Sequence, residues 1–233
     1  MSRRDTSRKT RPVLTRERIV DAATAIVDEA GPDALTMRAV AQRLDAGAMS
    51  LYRHVASREE LLDLVLAAMA SEVELRALTG DWRTDLAQAA RDMRAALLRR
   101  PNLTVLLTSR AGSGSGGLEL LDHALAILRA AGFTPDQAVF ANHALGNFVA
   151  GAALWEAVGF AGASGADRDE RRAAAGTIFA SLPAGEYPAL SWAGDAILAG
   201  SLDDRFEFGL GLLLDGLSSL LVDGDPEHAR LPG

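Results

Sequence analysis

Apolar residues recur three and four apart along nearly the whole chain, and this spacing constrains the fold more than any other feature. Ile19, Ala22, Ala23, Ile26 and Val27 set the pattern, which ends at Gly31-Pro32. Period-two alternation is rare and β-branched residues are sparse, so the periodicity predicts an all-α protein. The chain has 233 residues, enough for one or two domains and for a core that holds without staples. Cysteine is absent, which excludes disulfides, thiolate metal sites and cysteine nucleophiles and fits a reducing cytoplasm.

Short helices are expected first. Thr36 is placed to cap a segment through Val40, Ala41 and Leu44. A break at Asp45-Ala46-Gly47 leads into a segment from Ala48 to Val55. Ser57 and Glu60 have capping-box spacing and open a longer helix through Leu61, Leu62, Leu64, Val65 and Met69. Further on, helices are predicted from Asp81-Trp82 to just before Pro101, from Leu118 to Ala131, from Thr134-Pro135 to about Phe160, and from about Asp203 to Val222. A short apolar segment spans Leu103 to Thr108. The Gly/Ser run 111–117 and the polar stretch 161–185 are expected to be mobile, with at most a turn or two between Arg171 and Phe179.

Net charge is −7, which on its own argues against a nucleic-acid partner. The average conceals an asymmetry. Residues 1–58 carry +4 and the remainder −11. Seven basic side chains, from Arg3 to Arg18, face only Asp5 and Glu17. A basic block joined to an acidic one implies two segments with different partners.

Three short helices with a tight turn between the second and third give the helix-turn-helix layout. The third must turn polar groups outward to reach phosphates and base edges. Met49, Ser50, Tyr52, Arg53 and His54 lie on it, while Leu51 and Val55, four apart, are expected to face inward. The stretch Leu35-Thr-Met-Arg-Ala-Val-Ala-Gln-Arg-Leu44 followed by Met49-Ser-Leu-Tyr-Arg-His-Val55 resembles the signature of the TetR family of bacterial transcriptional regulators. The resemblance is strong over residues 15–66. It is weaker beyond, where Trp82, Ala96-Leu97-Leu98, Thr108-Ser109-Arg110, Gly132-Phe133, Gly146-Asn147-Phe148 and Phe206-Glu-Phe-Gly-Leu210 are similar to the tetracycline-repressor branch.

The resemblance implies DNA-contacting roles for Thr36, Arg38, Ala48, Met49, Ser50, Tyr52, Arg53, His54 and Arg58. Thr36, Tyr52 and His54 match phosphate-contacting positions, and Arg58 stands where the family has a lysine gripping the backbone from a helix N-terminus. Ala48 and Met49 are apolar where relatives read bases, which suits thymine methyls. Tyr52→Ala or Arg58→Ala is expected to weaken binding with little change in fold. Residues 1–14 would form a basic arm, 15–60 the DNA-binding domain, 61–223 a helical effector-binding and dimerisation domain, and 224–233 a tail.

Polar or aromatic residues interrupting apolar helical faces, with their apolar neighbours, are the cavity candidates: Met93, Leu97, Leu106, Ser109, Arg110, His123, Asn142, His143, Asn147, Phe148 and Trp155. Tetracycline repressors bind a magnesium–drug chelate through a histidine and hydrophilic neighbours. This chain aligns Leu106 with that histidine and Trp155 with a glutamate, so that site is not reproduced and a larger apolar or aromatic effector is implied. No metal and no cofactor are expected. A homodimer is expected, its face formed by Gly146, Ala150, Gly151 and Ala153 on one helix and Gly209, Gly211 and Gly216 on another, with Leu210, Leu213, Leu214, Leu217 and Leu221 as the apolar seam.

Rival chemistries lack their motifs. Gly112, Gly114 and Gly117 satisfy G-x-G-x-x-G but follow a helix, with no βαβ unit. His54, His123, His143 and His228 have no metal-ligand spacing. The apolar run from Ala144 to Trp155 is too short to span a bilayer, and the N-terminus lacks a signal-peptide core. The reading is a cytoplasmic, non-enzymatic, ligand-responsive repressor binding double-stranded operator DNA. A transcriptional activator and a ligand-independent architectural DNA binder are the alternatives, the latter disfavoured by the acidic C-terminal part.

Overall fold

The computed structural model describes residues 13–109, 117–160 and 165–222. The basic arm before Val13, most of the glycine-rich run after Ser109, residues 161–164 and the tail after Val222 lie outside the described residues. Among the described residues there is no β-strand.

The N-terminal unit contains α1 (Arg16–Ala30), a 3-10 turn (Pro32–Ala34), α2 (Met37–Arg43) and α3 (Ala48–Leu51), followed by α4 (Arg58–Ser71). Each longer element starts on an oxygen-bearing cap. The Thr15, Thr36 and Ser57 hydroxyls accept from the backbone N–H of Arg18, Ala39 and Glu60 at 3.3, 3.0 and 3.1 Å. Such caps stabilise a helix by roughly 1 kcal/mol each. Ile19, Ala23 and Val27 of α1 pack with Leu35, Val40, Leu51, Val55, Leu61 and Val65, all essentially sealed from water.

Two local details differ from the sequence expectation. The α2–α3 reversal is a Schellman turn: Ala46 N–H donates to the Ala41 carbonyl at 2.9 Å and Asp45 N–H to Gln42 at 3.2 Å. Asp45 takes the left-handed conformation, with φ of 50°, whereas Gly47 has an ordinary φ of −75°. Aspartate tolerates that region better than most non-glycine residues, so Asp45 takes the turn's strained position. At the start of α4, Glu60 closes the capping arrangement one residue early. Its carboxylate accepts from Ala56 N–H at 2.7 Å and pairs with Arg16 of α1.

The rest of the chain contains α5 (Trp82–Arg99), α6 (Pro101–Ser109), α7 (Leu118–Ala130), α8 (Pro135–Leu154) continuing as a π-helical turn (Trp155–Phe160), α9 (Gly165–Ser181), α10 (Pro188–Ala193), a 3-10 turn (Gly194–Ile197) and α11 (Leu202–Val222). Asp81 caps α5, and a full capping box of Thr134 and Gln137 opens α8. Gly132 closes α7 with φ of 95°, donating to Arg129 while Phe133 N–H reaches Leu128. Helix α5 is central, packing on α6, α7, α8 and α11.

Both parts share one apolar core. α6 touches α1, α4, α5 and α8, and so links the N-terminal unit to the body. A polar clasp reinforces the link: Arg100, between α5 and α6, pairs with Asp28 of α1 and with Glu72 at the end of α4, the latter at 2.8 Å. Asn102 donates to the Asp28 carbonyl at 3.0 Å.

Two expectations for the body need correcting. The polar stretch expected to be mobile holds the 17-residue α9, tied by Arg172 to the Leu198 carbonyl. Its apolar pattern is weak because most of its described residues stay exposed, so alanine propensity in Ala173–Ala175 outweighs amphipathicity as the source of helix. Part of the expected dimer seam is also used within the protomer. Leu210, Leu214 and Ala153 are buried inside this protomer, and a Cβ on Gly209 would come within 2.6 Å of the Phe148 ring. α11 has a second apolar stripe facing outward, with Phe208 at 71% and Leu212 at 58% exposure. Periodicity locates stripes but does not say which one the protomer itself consumes.

Candidate functional site

One outer face carries eight of the nine expected DNA-contacting residues as exposed or half-buried groups. Thr36 and Arg38 open α2; Ala48, Met49 and Ser50 lie on α3; and Tyr52, Arg53 and His54 follow it. Met49 is 80% exposed and Tyr52 48%, while Leu51 and Val55 are buried as their spacing predicted. Large apolar groups this exposed have no packing role within the protomer. Arg53 donates to the Ser50 hydroxyl at 3.3 Å, aligning two polar groups along the face. Arg43, on the same helix as Arg38, is used differently. It forms a fork onto Glu29 at 2.7 and 2.6 Å, and its hydrogen bonding holds that carboxyl below the usual range.

Arg58, the ninth, is engaged within the fold. Its Nε–H donates to the Leu35 carbonyl at 2.7 Å and its NH2 group to the Pro32 carbonyl at 2.8 Å. The guanidinium therefore pins the 3-10 turn that presents α2. The expectation that its removal leaves the fold nearly unchanged does not follow from this geometry.

A partly open cavity of about 430 Å³ lies between α4, the segment after it, α5, α7 and α8. This volume suits a drug-sized molecule. Aliphatic side chains form most of the wall: Leu66 and Met69 from α4, Leu86 and Met93 from α5, Leu118 and Leu121 from α7, Leu145 and Val149 from α8. Asn142 and His123 supply hydrogen-bonding groups, and Asp63 and Glu74 supply carboxylates. A smaller cavity of about 110 Å³ shares Glu74 and His123 and is bordered by Arg76 and Asp92. Arg76 grips Asp92 at 2.7 Å and, with Gln88, holds its carboxyl below the usual range.

Of the residues expected in the cavity, Met93, His123 and Asn142 line it. Leu97 and Leu106 are sealed in the core instead. Phe148 stacks on Phe206 with ring centres 5.3 Å apart. His143, Asn147 and Trp155 are exposed on α8 and the turn after it, Trp155 at 72%. Ser109 is the last residue of α6, and Arg110 lies outside the described residues. The α4 wall was missed by sequence reasoning. Its signal was Leu66, Met69 and Ala70, a second apolar flank on a helix whose other flank packs on α1.

Among the described residues, no group of three or more histidines or acidic residues is placed to hold a metal ion. No helix among them is long and apolar enough to cross a membrane.

Comparison with known proteins agrees with this layout. Residues 19–65 match the family described as bacterial regulatory proteins, tetR family, and residues 77–221 match the tetracyclin repressor-like C-terminal domain. The HTH-type transcriptional repressor DrrR1 of Streptomyces coeruleorubidus is 34% identical over 228 residues, covering 96% of this chain and 84% of that one. The class A tetracycline repressor protein from transposon 1721 of Escherichia coli is 33% identical over 204 residues, with coverage of 86% and 88%. The crystal structure of the TetR family protein ActR from Streptomyces coelicolor, in complex with actinorhodin, superposes with a TM-score of 0.79 at 33% identity, covering 91% of this chain and 100% of that one. The chain belongs to the tetR family of bacterial regulatory proteins and is a DNA-binding transcriptional regulator.

Proposed function

We propose that this chain is a homodimeric repressor that leaves its operator when a small molecule fills the cavity beside α4. One observation supports this most directly: α4 begins at the DNA-reading face, next to α3, and ends as a wall of the cavity. A ligand that favours another setting of α4 lowers operator affinity through linkage. Two reading heads about 34–36 Å apart would meet successive major grooves. The outward apolar stripes of α8 (Phe140, Ala144) and α11 (Phe208, Leu212) are the surfaces that would meet in the dimer.

Within the reader, Thr36, Tyr52 and His54 would meet phosphates, Arg38 and Arg53 phosphates or base edges, and Ala48 and Met49 thymine methyls. Arg58 would add its charge from behind the turn it holds. Residues 15–60 act as the reader and 61–223 as the sensing and dimerising body, in the cytoplasm, with the arm 1–14 following the DNA backbone. Met93, His123 and Asn142, with the α4 wall, would contact the effector. A gel-shift with DNA selected from a random pool tests the reader. Tyr52→Ala should weaken binding at least tenfold with helicity intact, and unchanged affinity would remove Tyr52 from the interface.

A further inference from the structure

The large cavity has a neighbour of different chemistry. The smaller space of about 110 Å³ shares Glu74, Ala89 and His123 with it, so the two adjoin along one edge. Aliphatic side chains dominate the large wall, whereas Arg76, Gln88 and Asp92 border the small one. These three are fixed against one another. Arg76 turns Nε and one terminal nitrogen onto the Asp92 carboxylate at 2.7 and 3.3 Å, and the Gln88 amide donates to Asp92 at 2.9 Å. The same terminal nitrogen lies 3.4 Å from Glu74. These contacts leave the second terminal nitrogen of Arg76 and the side-chain carbonyl of Gln88 unused, a donor and an acceptor on one border. At about 30 Å³ per water the space corresponds to roughly four waters, room for a short appendage and not for a second ring system. An apolar appendage there would displace water from polar groups without replacing its hydrogen bonds. A charged one would have to compete with the Arg76 pairs for its partner. A hydroxylated one replaces the water, because each hydroxyl both donates and accepts.

We propose that the two spaces form one binding site and that the effector is a neutral amphiphile, an inference that rests on the reading of the large cavity as the effector site. Its apolar body fills the large cavity and a short hydroxylated appendage enters the small one. Apolar contact is non-directional, so the aliphatic wall supplies affinity with little discrimination. The border of Arg76, Gln88 and Asp92 supplies the discrimination, since a molecule without hydroxyls leaves those groups dehydrated and unmatched.

Three naphthyl ethers with one ring system and the same chain length test this: 3-(1-naphthyloxy)propane-1,2-diol (hydroxylated), 1-propoxynaphthalene (apolar) and 3-(1-naphthyloxy)propylamine (cationic). Each is titrated into the full-length protein and followed by naphthyl fluorescence. Simple partition out of water favours the propyl ether, so the reverse order is diagnostic. The diol should bind at least fivefold tighter than either of the others. Ala77 is exposed and borders the small cavity but not the large one, so Ala77→Phe should bring the diol and the propyl ether within about twofold while the propyl ether keeps its affinity. If that variant does not fold, Gln88→Leu takes its place with the same loss expected. A diol preference that survives the substitution overturns the proposal, and so does an amine that binds tighter than the diol. A propyl ether that binds as tightly as the diol or tighter overturns it too, and leaves the cavity reading standing. Failure of all three to bind overturns both.

Discussion

Arg58 allows fold and DNA contact to be separated in one position. Its guanidinium makes two hydrogen bonds, at 2.7 and 2.8 Å, to the carbonyls of Leu35 and Pro32. Hydrogen bonds to a charged group contribute about 1.5–3 kcal/mol each when desolvated. Both are only partly buried here, so water replaces some of that loss, and Arg58→Ala should cost about 2–3 kcal/mol of reader stability. Tryptophan fluorescence is blind to this, since Trp82, Trp155 and Trp192 all lie in the body. Amide hydrogen exchange is the suitable assay, because protection scales with the free energy of opening. Exchange of α1 and α2 amides should accelerate roughly 30- to 150-fold. Arg58→Lys keeps the charge, but its compact ammonium lacks the planar, spread donor array that meets both carbonyls in good geometry. It should lose about half as much stability while holding operator affinity within a few-fold. Exchange within threefold of wild type in Arg58→Ala would refute the structural role, leaving a group that acts on DNA alone.

Gly209→Val should destabilise the body by about 1–3 kcal/mol in urea unfolding, because its Cβ would press on Phe148, itself backed by Phe206; no loss would mean the ring moves freely. Leu212→Glu should raise the dimer dissociation constant at least a hundredfold in sedimentation, and an intact dimer would place the interface elsewhere. Acid should weaken the fold through Glu207 and Asp92, whose carboxyls are held below their usual range chiefly by hydrogen bonds from Arg91 and Arg76. A depressed carboxyl stabilises the fold above its unfolded value, near 4, and loses that contribution as pH falls through the folded one. Stability should therefore be flat from pH 7 to about 5 and fall below about 4.5. Arg91→Gln should shallow the acid limb, and an unchanged limb would refute the assignment.

Much of the reader was legible because its signals are local. Thr36 and Ser57 are caps wherever they occur, and Leu51 with Val55 defines an inward face at helical spacing, which forces Met49 and Tyr52 outward. What stayed hidden depends on distant partners. Arg58 reads as a surface charge until the 3-10 turn folds beneath it, 23 and 26 residues upstream. Leu97, Leu106 and Met93 are equally apolar, and only the packing of neighbouring helices decides that Met93 lines the cavity while the other two are sealed. Asp63 on α4 and Glu74 in the segment after it were missed for the opposite reason, because an isolated carboxylate reads as solvated unless the opposite wall is known.

The clasp of Arg100 with Asp28 and Glu72, laid over a core that runs unbroken from α1 to α6, also bears on modularity. Helix-turn-helix heads are often treated as cassettes to be exchanged between sensor bodies. Here the cut cannot follow the sequence boundary near residue 60, because α1 is held by the body as well as by its own head. A functional chimera would have to carry Asp28, Glu72, Arg100 and Asn102 as one set, together with the α6 surface beneath α1. The unit of exchange is the seam, and specificity for DNA travels only with the surface that anchors it.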